Sequence, residues 1–140
     1  EYEEEVNRTI DMLGIRNHIS LQGHILHQNI WQHLAKHAVG IIPFNKNPLT
    51  KTNTPTKLFE FMASGCQLVV PSLKPITKYD FKATKFFKSG DIKDLSNTII
   101  NSLQNIDHGG IEYNLNKIRS DYNWENNSYK LIELYERVLS

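Results

Sequence analysis

An α/β fold, with a doubly wound parallel sheet flanked by helices, is the architecture that the sequence predicts. Apolar runs of strand length cover residues 39–44 and 67–70, and a weaker run covers residues 85–87. A stretch suited to a helix, starting at Pro55, separates the first two runs. Strands that alternate with helices in this way are typical of crossover units in a parallel sheet.

The N-terminal part of the chain adds a helix, a short strand and a second helix. Hydrophobic spacing over residues 6–13, closed by Gly14, predicts an amphipathic helix that begins at or before residue 1. Residues 19–23 alternate like a short strand, and residues 30–35 have helical spacing. We therefore expect the chain to open in the middle of a structural unit.

The C-terminal part of the chain is predicted to be helical. Asp91 suits the N-cap of a helix whose apolar positions fall within residues 95–103. The glycine pair at 109–110 predicts a break after this helix. Residues 113–122 are interpreted as helical, and a final helix is expected from about Trp124.

Composition favours one globular domain spanning residues 1–140. The apolar fraction is 39%, and 16 Lys and Arg against 15 Asp and Glu give a net charge of +1. This balance gives no electrostatic reason to expect nucleic acid as a partner. Cys66, the single cysteine, is interpreted as a small packed hydrophobe in a reducing compartment rather than a catalytic thiol. No apolar run approaches the length of a membrane span, so a cytoplasmic location is expected.

The helix after Pro55 has well-defined ends. Thr54 suits the N-cap, Pro55 the first helical position and Gly65 a left-handed residue after the C-terminus, which predicts a helix over residues 55–64. Its N-terminus would present unpaired N–H groups and a partial positive charge, which together suit a diphosphate. The loop over residues 44–55, which leads into this helix, is either part of a ligand site or a solvated surface loop.

This stretch resembles the signature of the C-terminal nucleotide-sugar-binding domain of GT-B glycosyltransferases, in the retaining group related to glycogen and sucrose synthases. The residues that carry the resemblance are Pro55, Lys57, Leu58, Phe59, Glu60, Phe61, Met62, Ala63 and Gly65. Residues 19–23 are similar to the family's strand ending in glycine, and residues 122–125 to the start of its last helix. The resemblance implies a Rossmann-like domain that lacks its first strands.

The resemblance also implies which residues bind the donor. The residues assigned to the nucleotide sugar are Thr52, Asn53, Thr54, Pro55, Thr56, Lys57, Glu60, His24 and Ile25. Glu60 matches the glutamate that binds the ribose, whereas Thr52 stands where many relatives have an acid that contacts the sugar. Hydroxyl, amide and backbone donors of residues 53–56 would replace that acid, and Lys57 would neutralise phosphate. His24 and Ile25 match the point where the chain passes the base.

Several of these residues have simpler interpretations. Glu60 would form an ordinary helical ion pair with Lys57, and His24 would be a surface histidine. Histidines 24, 27, 33 and 37 fall close together, but a zinc site usually takes three protein ligands of suitable spacing, and we expect no metal site. Lysines 74, 78, 82, 85 and 88 form either a solvated face or a peripheral contact with the membrane.

The predicted function is that of a glycosyltransferase domain that binds a UDP- or GDP-sugar, for transfer with retention to a glycan or lipid-linked acceptor. The resemblance implies no cofactor, and it implies a missing N-terminal acceptor domain. We therefore expect residues 1–140 to lack transferase activity by themselves, and their exposed sheet edge to favour self-association. The alternatives are a nucleotide-sugar epimerase of GT-B architecture and a noncatalytic, flavodoxin-like interaction module.

Overall fold

The computed structural model describes residues 2–139, and the chain forms two compact units, Glu1–Ile30 and Trp31–Ser140. The helices are α1 (Tyr2–Met12), α2 (His27–Leu34), α3 (Thr56–Ala63), α4 (Lys74–Thr77), α5 (Ile92–Gln104), α6 (His108–Asp121) and α7 (Ser128–Leu139). The strands are β1 (Val39–Ile41), β2 (Gln67–Pro71) and β3 (Thr84–Phe87). The first helix is predicted to begin at or before residue 1, which lies outside the described residues.

The N-terminal unit is built on α1. Gly14 follows the helix in a left-handed conformation with φ of 66°, and a short 3-10 turn covers Arg16–His18. The Arg16 guanidinium donates hydrogen bonds to the Asp11 carboxylate at 2.9 Å and to Asn7 Oδ1 at 2.7 Å. Arg16 therefore holds the chain after Gly14 against the end of α1. This agrees with the predicted helix that Gly14 closes.

The strand predicted over residues 19–23 is wrong. The described residues contain one sheet, of three strands, and none of these strands includes or pairs with residues 19–23. Ile19 and Leu21 are exposed. A strand needs a neighbour to take up its backbone hydrogen bonds, and alternating hydrophobicity by itself supplies none.

The C-terminal unit is organised around the parallel sheet β1-β2-β3. Gly40 pairs with Leu68, and Val69 pairs with Lys85. All five residues of the central strand β2 are buried, as expected for a strand covered on both faces. Strand β1 is shorter than the predicted run over residues 39–44, because Pro43 has no N–H to continue the ladder after Ile42 bonds Val69 at 3.0 Å.

Helices cover both faces of the sheet. Leu68 packs with Leu58 and Met62 of α3, whereas the side chain of its neighbour Gln67 bonds to Ser102 of α5. Successive residues of a strand point to opposite faces, so α3 and α5 lie on opposite sides of β2. The main core cluster is formed by Ile42, Leu58, Met62, Leu68, Val70, Leu73 and Ile76. The doubly wound arrangement predicted from the alternation is confirmed.

Close packing fixes α3 against β1. A Cβ atom built on Gly40 would lie 2.5 Å from the ring of Phe61, which is too close for any real contact. Only glycine at this position of β1 lets α3 approach so closely. At the other end of α3, Gly65 has φ of 79°, and the predicted left-handed termination is confirmed.

The C-terminal helices agree with the prediction in part. Asp91 caps α5 as predicted, because its carboxylate accepts from the Asp94 N–H at 3.0 Å. The break predicted at the glycine pair 109–110 is wrong: both glycines lie in the first turn of α6, and Asp107 accepts from the Gly110 N–H at 2.8 Å. Helix α7 begins later than Trp124, because the side chains of residues 126 and 127 bond to backbone carbonyls of the preceding turn.

Candidate functional site

The turn before α3 is built differently from its sequence prediction. Pro55, with φ of −70° and ψ of 130°, is the N-cap, and Thr56 is the first helical residue. Proline has no side-chain oxygen, so α3 has no side-chain cap. The predicted N-cap Thr54 instead donates its hydroxyl proton to the carbonyl of Pro75, at 3.3 Å.

The backbone N–H groups of this turn are consequently open. Leu58 N–H donates to Pro55 O at 3.1 Å, but the N–H groups of Thr56 and Lys57 have no hydrogen-bond partner among residues 2–139. Helices α5 and α6, in contrast, begin with aspartate caps. Open N–H groups at a helix N-terminus, together with the helix dipole, form a site suited to an anion.

The position of this turn in the fold suits a ligand. Strand β1 ends at Ile41, the loop over residues 44–55 follows, and α3 then returns antiparallel to the strand. The N-terminus of α3 therefore lies at the carboxyl edge of the parallel sheet. In open α/β sheets, ligands bind beyond this edge.

The charges around the turn are positive. Residues 44–59 include three lysines, Lys46, Lys51 and Lys57, and no acid. All three lysines are exposed, and within residues 2–139 none of them forms an ion pair. Glu60, the next residue after this segment, is the nearest acid in the chain, and the three lysines outnumber it. The first turn of α3 thus combines open N–H donors with an excess of positive charge, which favours an anionic ligand.

The loop before α3 is ordered by its own hydrogen bonds. The Asn47 N–H donates to Thr50 Oγ1, and the Thr50 N–H donates to Asn47 Oδ1, both at 2.9 Å. The hydroxyl of Thr50 also donates to Asn45 O at 2.7 Å, and that of Thr52 bonds to Leu49 O at 3.2 Å. The Thr52 hydroxyl is therefore engaged within the loop, whereas the exposed side chain of Asn53 has no partner among the described residues.

Glu60 is half-buried on α3, one helical turn after Thr56. Residues four apart share a helix face, so Glu60 lies on the same face of α3 as Thr56 in the first turn, and helical side chains generally lean toward the N-terminus. Within residues 2–139 the carboxylate has no hydrogen bond or ion pair, and the alternative pairing with Lys57 is not formed. A half-buried carboxylate with open acceptor positions is suited to hydroxyl donors of a ligand.

The structure brings together the predicted site residues from Thr52 to Glu60 in one loop and helix of the C-terminal unit. His24 and Ile25 belong to the N-terminal unit, where they follow Gly23, whose φ is 61°. His24 is exposed and Ile25 is half-buried. Their assignment to base contact stays a prediction from the resemblance.

The four histidines at positions 24, 27, 33 and 37 form no metal site among the described residues. The rings of His33 and His37 lie 5.1 Å apart, and His37 Nδ1 is 2.9 Å from the carbonyl oxygen of His33. Among residues 2–139, no group of three or more His, Cys, Asp or Glu side chains is arranged to hold a metal ion.

None of the helices that the structure describes is long and apolar enough to cross a bilayer.

A separate open cavity of about 630 Å³ lies at the turn between α6 and α7. It is lined by Ser120, Asp121, Glu125, Asn126, Asn127, Tyr129 and Lys130. The side-chain amides of Asn126 and Asn127 already donate to backbone carbonyls of residues 120 and 121. The amides of Asn126 and Asn127 therefore serve to terminate α6. The turn before α3 is the stronger candidate for a ligand site because its N–H donors are unoccupied.

Sequence reasoning missed one partner of the site. Tyr79 lies 25 residues beyond Thr54, yet its hydroxyl is 3.5 Å from Thr54 Oγ1. Helix α4, which brings Pro75 and Tyr79 to this position, was not predicted either. With only four residues, α4 is too short to show a helical period.

No protein-family model matches the chain, and no curated protein sequence matches it. Among solved structures, the chain is similar to a sucrose-phosphate synthase from Thermosynechococcus elongatus, with a TM-score of 0.83 at 14% identity. The fold is that of a GT-B domain. The match covers 97% of this chain and 34% of the other, so this chain spans about a third of the length of the protein it matches. The predicted fold class is confirmed.

Proposed function

We propose that this chain is the donor-binding domain of a GT-B glycosyltransferase and that it binds a nucleotide-diphosphate sugar at the first turn of α3. One observation supports this most directly: the N–H groups of Thr56 and Lys57 are open, at the carboxyl edge of the parallel sheet. Two adjacent N–H donors at a helix N-terminus suit the oxygen atoms of an anion such as a phosphate. The similarity to a sucrose-phosphate synthase supports the same assignment at the level of the fold.

The diphosphate would be bound by backbone donors and by charge. Open N–H groups supply direct hydrogen bonds, and the exposed ammonium group of Lys57 supplies a mobile positive charge. The backbone N–H groups are positioned before the reaction. As the bond between the sugar and the diphosphate lengthens, negative charge develops on the departing diphosphate, and fixed donors stabilise it.

Glu60 is proposed to bind the ribose. Its carboxylate has open acceptor positions and leans toward the first turn of α3, which would place it beside the nucleoside end of a bound diphosphate. The two vicinal hydroxyls of a ribose match the two oxygens of a carboxylate. Hydrogen bonds to a charged group each contribute about 1.5–3 kcal/mol.

Transfer of the sugar requires more of the protein than this chain spans. We propose that the complete enzyme transfers the sugar with retention to a glycan or lipid-linked acceptor held by a second domain, at the cytoplasmic side of a membrane. The exposed lysines 74, 78 and 82 would allow peripheral contact with anionic lipid. Residues 1–140 alone are expected to bind the donor without transferring the sugar.

Nucleotide titration tests the proposal. UDP, GDP and ADP are titrated into the chain by calorimetry and by NMR, and the titration is repeated with Glu60→Ala. We expect one nucleotide to bind selectively, and Glu60→Ala to weaken its binding by about 10–100-fold through the lost charged hydrogen bonds.

Glu112→Ala is the matched control, because Glu112 is an exposed glutamate on helix α6. It should leave the affinity unchanged. The proposal is wrong if none of the three nucleotides binds to this chain.

A further inference from the structure

The hydroxyl of Thr54 is held away from the helix that it precedes. Thr54 Oγ1 donates to Pro75 O at 3.3 Å and lies 3.5 Å from the hydroxyl of Tyr79, which donates to it. A threonine hydroxyl at an N-cap ordinarily bonds to the first N–H groups of its helix, but the N-cap of α3 is Pro55 and Thr54 precedes it. Here the hydroxyl points to the crossover between β2 and β3, and the N–H groups of α3 stay open.

Tyr79 is fixed in place by three aromatic rings. Phe59 of α3 meets it edge-on with centroids 5.3 Å apart, and Phe81 stacks on it at 5.4 Å with 15° between the planes. Tyr122 completes the group at 5.9 Å. The Lys78 ammonium group lies 4.9 Å from the centre of the Tyr79 ring. Aromatic side chains packed in this way have few accessible rotamers, so the Tyr79 hydroxyl has a defined position.

Pro75, which accepts from Thr54, is fixed equally well. Pro75 and Ile76 are buried, and the N–H of Ile76 donates to Leu73 O at 2.8 Å. Leu73 is itself buried in the core cluster with Leu68 and Leu58. The carbonyl of Pro75 is therefore a rigid acceptor that belongs to the core.

We infer that Tyr79 and Thr54 are positioning residues for the donor diphosphate. Tyr79 and Pro75 together hold Thr54, and Thr54 fixes the turn whose N–H groups, on Thr56 and Lys57, would contact the phosphates. Neither hydroxyl touches the ligand. This inference rests on the proposed function, and it assigns a role to a residue outside the loop and helix that carry the site.

The expected effect is on preorganisation. A turn without a side-chain cap has few bonds of its own, so loss of its tether to Pro75 and Tyr79 would let the two N–H vectors fluctuate. A binding site that must be ordered by its ligand has a lower affinity than one that is ordered beforehand. The loss should be the same for every ligand that carries a diphosphate, because neither hydroxyl is placed to read the base.

The test uses Tyr79→Phe and Thr54→Val, which remove the hydroxyls and keep nearly the same volume, and Thr54→Ser, which restores the hydroxyl. Tyr113→Phe is the matched control, since the Tyr113 hydroxyl donates to Asp80 at an exposed position. The ligands are inorganic pyrophosphate, UDP, GDP and ADP. The ligand-free readout is the NMR order parameter of the Thr56 and Lys57 N–H vectors.

We expect Tyr79→Phe and Thr54→Val to lower these order parameters. Both should also reduce the affinity for pyrophosphate and for the bound nucleotide by about 3–10-fold, with the preference among bases unchanged. Thr54→Ser and Tyr113→Phe should resemble the wild type. The double variant should lose no more than Thr54→Val alone, because both hydroxyls act through Thr54.

Three results would overturn the inference. Order parameters that stay unchanged in both variants would show that the hydroxyls do not hold the turn. Unchanged affinity in the variants, with normal binding to the wild type, would refute the positioning role and leave the proposed donor site intact. Absence of binding to the wild type would overturn the proposed function together with the inference.

Discussion

The side-chain oxygen of Gln67 accepts a hydrogen bond from the backbone N–H of Asp107 at 2.8 Å. The amide nitrogen of the same side chain donates to Ser102 O at 3.0 Å. Gln67 is fully buried at the first position of the central strand. One polar side chain in the sheet therefore joins the end of α5 to the residue that caps α6.

Replacing Gln67 by leucine should destabilise the protein by about 1–3 kcal/mol, because similar volume is kept while the Asp107 N–H and the Ser102 carbonyl lose their partner. The measurement is urea unfolding. Gln104→Leu, at an exposed position of α5, is the control and should change the free energy of unfolding by less than about 0.5 kcal/mol. Equal effects of the two substitutions would contradict this account of Gln67.

The two glycines at the start of α6 should respond to alanine in opposite directions. A Cβ on Gly109 meets only Asp107 Oδ1 at 3.9 Å, whereas a Cβ on Gly110 would lie 2.6 Å from the backbone nitrogen of Ala83 and against the Asp107 carboxylate. Alanine is favoured over glycine in a helix by about 0.5–1 kcal/mol. Gly109→Ala should therefore raise the thermal midpoint.

Gly110→Ala should destabilise the protein by about 1–3 kcal/mol through overpacking against Ala83, the residue before β3. Thermal and urea unfolding of both variants measure the difference. If Gly110→Ala proved as stabilising as Gly109→Ala, the close approach of α6 to Ala83 would not exist.

Thr56→Glu should raise the stability of the protein and lower its affinity for nucleotide. A carboxylate at the first position of α3 interacts favourably with the helix dipole, which contributes about 0.3–1 kcal/mol to stability. The same charge would repel a diphosphate at the open N–H groups, so nucleotide affinity should fall by at least about 10-fold. Calorimetry and urea unfolding on one sample give both quantities.

Ile92→Glu is the matched control for this prediction. Ile92 is the first residue of α5 and is 82% exposed, so the substitution adds the same charge to a helix start that Asp91 already caps. It should change stability slightly and leave nucleotide binding unaffected. Equal loss of nucleotide affinity in both variants would place the anion site away from α3.

Cys66 should make stability depend on pH in the alkaline range. Its Sγ donates weakly to Leu34 O at 3.5 Å and His37 O at 3.3 Å, and burial raises the pKa of the Cys66 thiol. The folded protein then keeps this proton at a pH where the unfolded chain releases it. Unfolding therefore releases a proton, and the free energy of unfolding decreases as pH rises above the unfolded pKa, which is about 8.5.

Comparison with Cys66→Ala isolates this contribution. The stability advantage of the wild type over the variant should be constant near pH 7 and should shrink between about pH 8.5 and the raised pKa of the folded state. Urea unfolding of both proteins at several pH values measures it. An advantage that is the same at pH 7 and pH 10 would refute the expected titration.

Local chemistry was sufficient to predict several elements. The continuous apolar run of β2, the aspartate cap of α5 at Asp91 and the left-handed Gly65 all follow from neighbouring residues. The alternation of these elements predicted the parallel sheet. The sequence string from Pro55 to Gly65 also located the loop and helix that the structure presents as the candidate site.

Features that depend on distant partners were predicted less well. Residues 19–23 alternate as a strand does but have no neighbouring strand among the described residues. The glycine pair 109–110 looked like a break, and it lies within α6 because Asp107 caps the helix and Ala83 leaves no room for a side chain at Gly110. Periodicity and turn propensity contain no information about such contacts.

The sequence by itself determined the alternation of β1, α3 and β2, the fold class and the position of the α3 loop, because these depend on hydrophobic period and on residues close in the chain. Tertiary structure decided where the Thr54 hydroxyl bonds. Thr54 is a good capping residue by sequence, but its hydroxyl bonds to Pro75 and Tyr79, which lie 21 and 25 residues away in the chain. The N–H groups that make α3 a candidate anion site stay open because the N-cap is Pro55, which has no side-chain oxygen, and because this long-range contact engages Thr54.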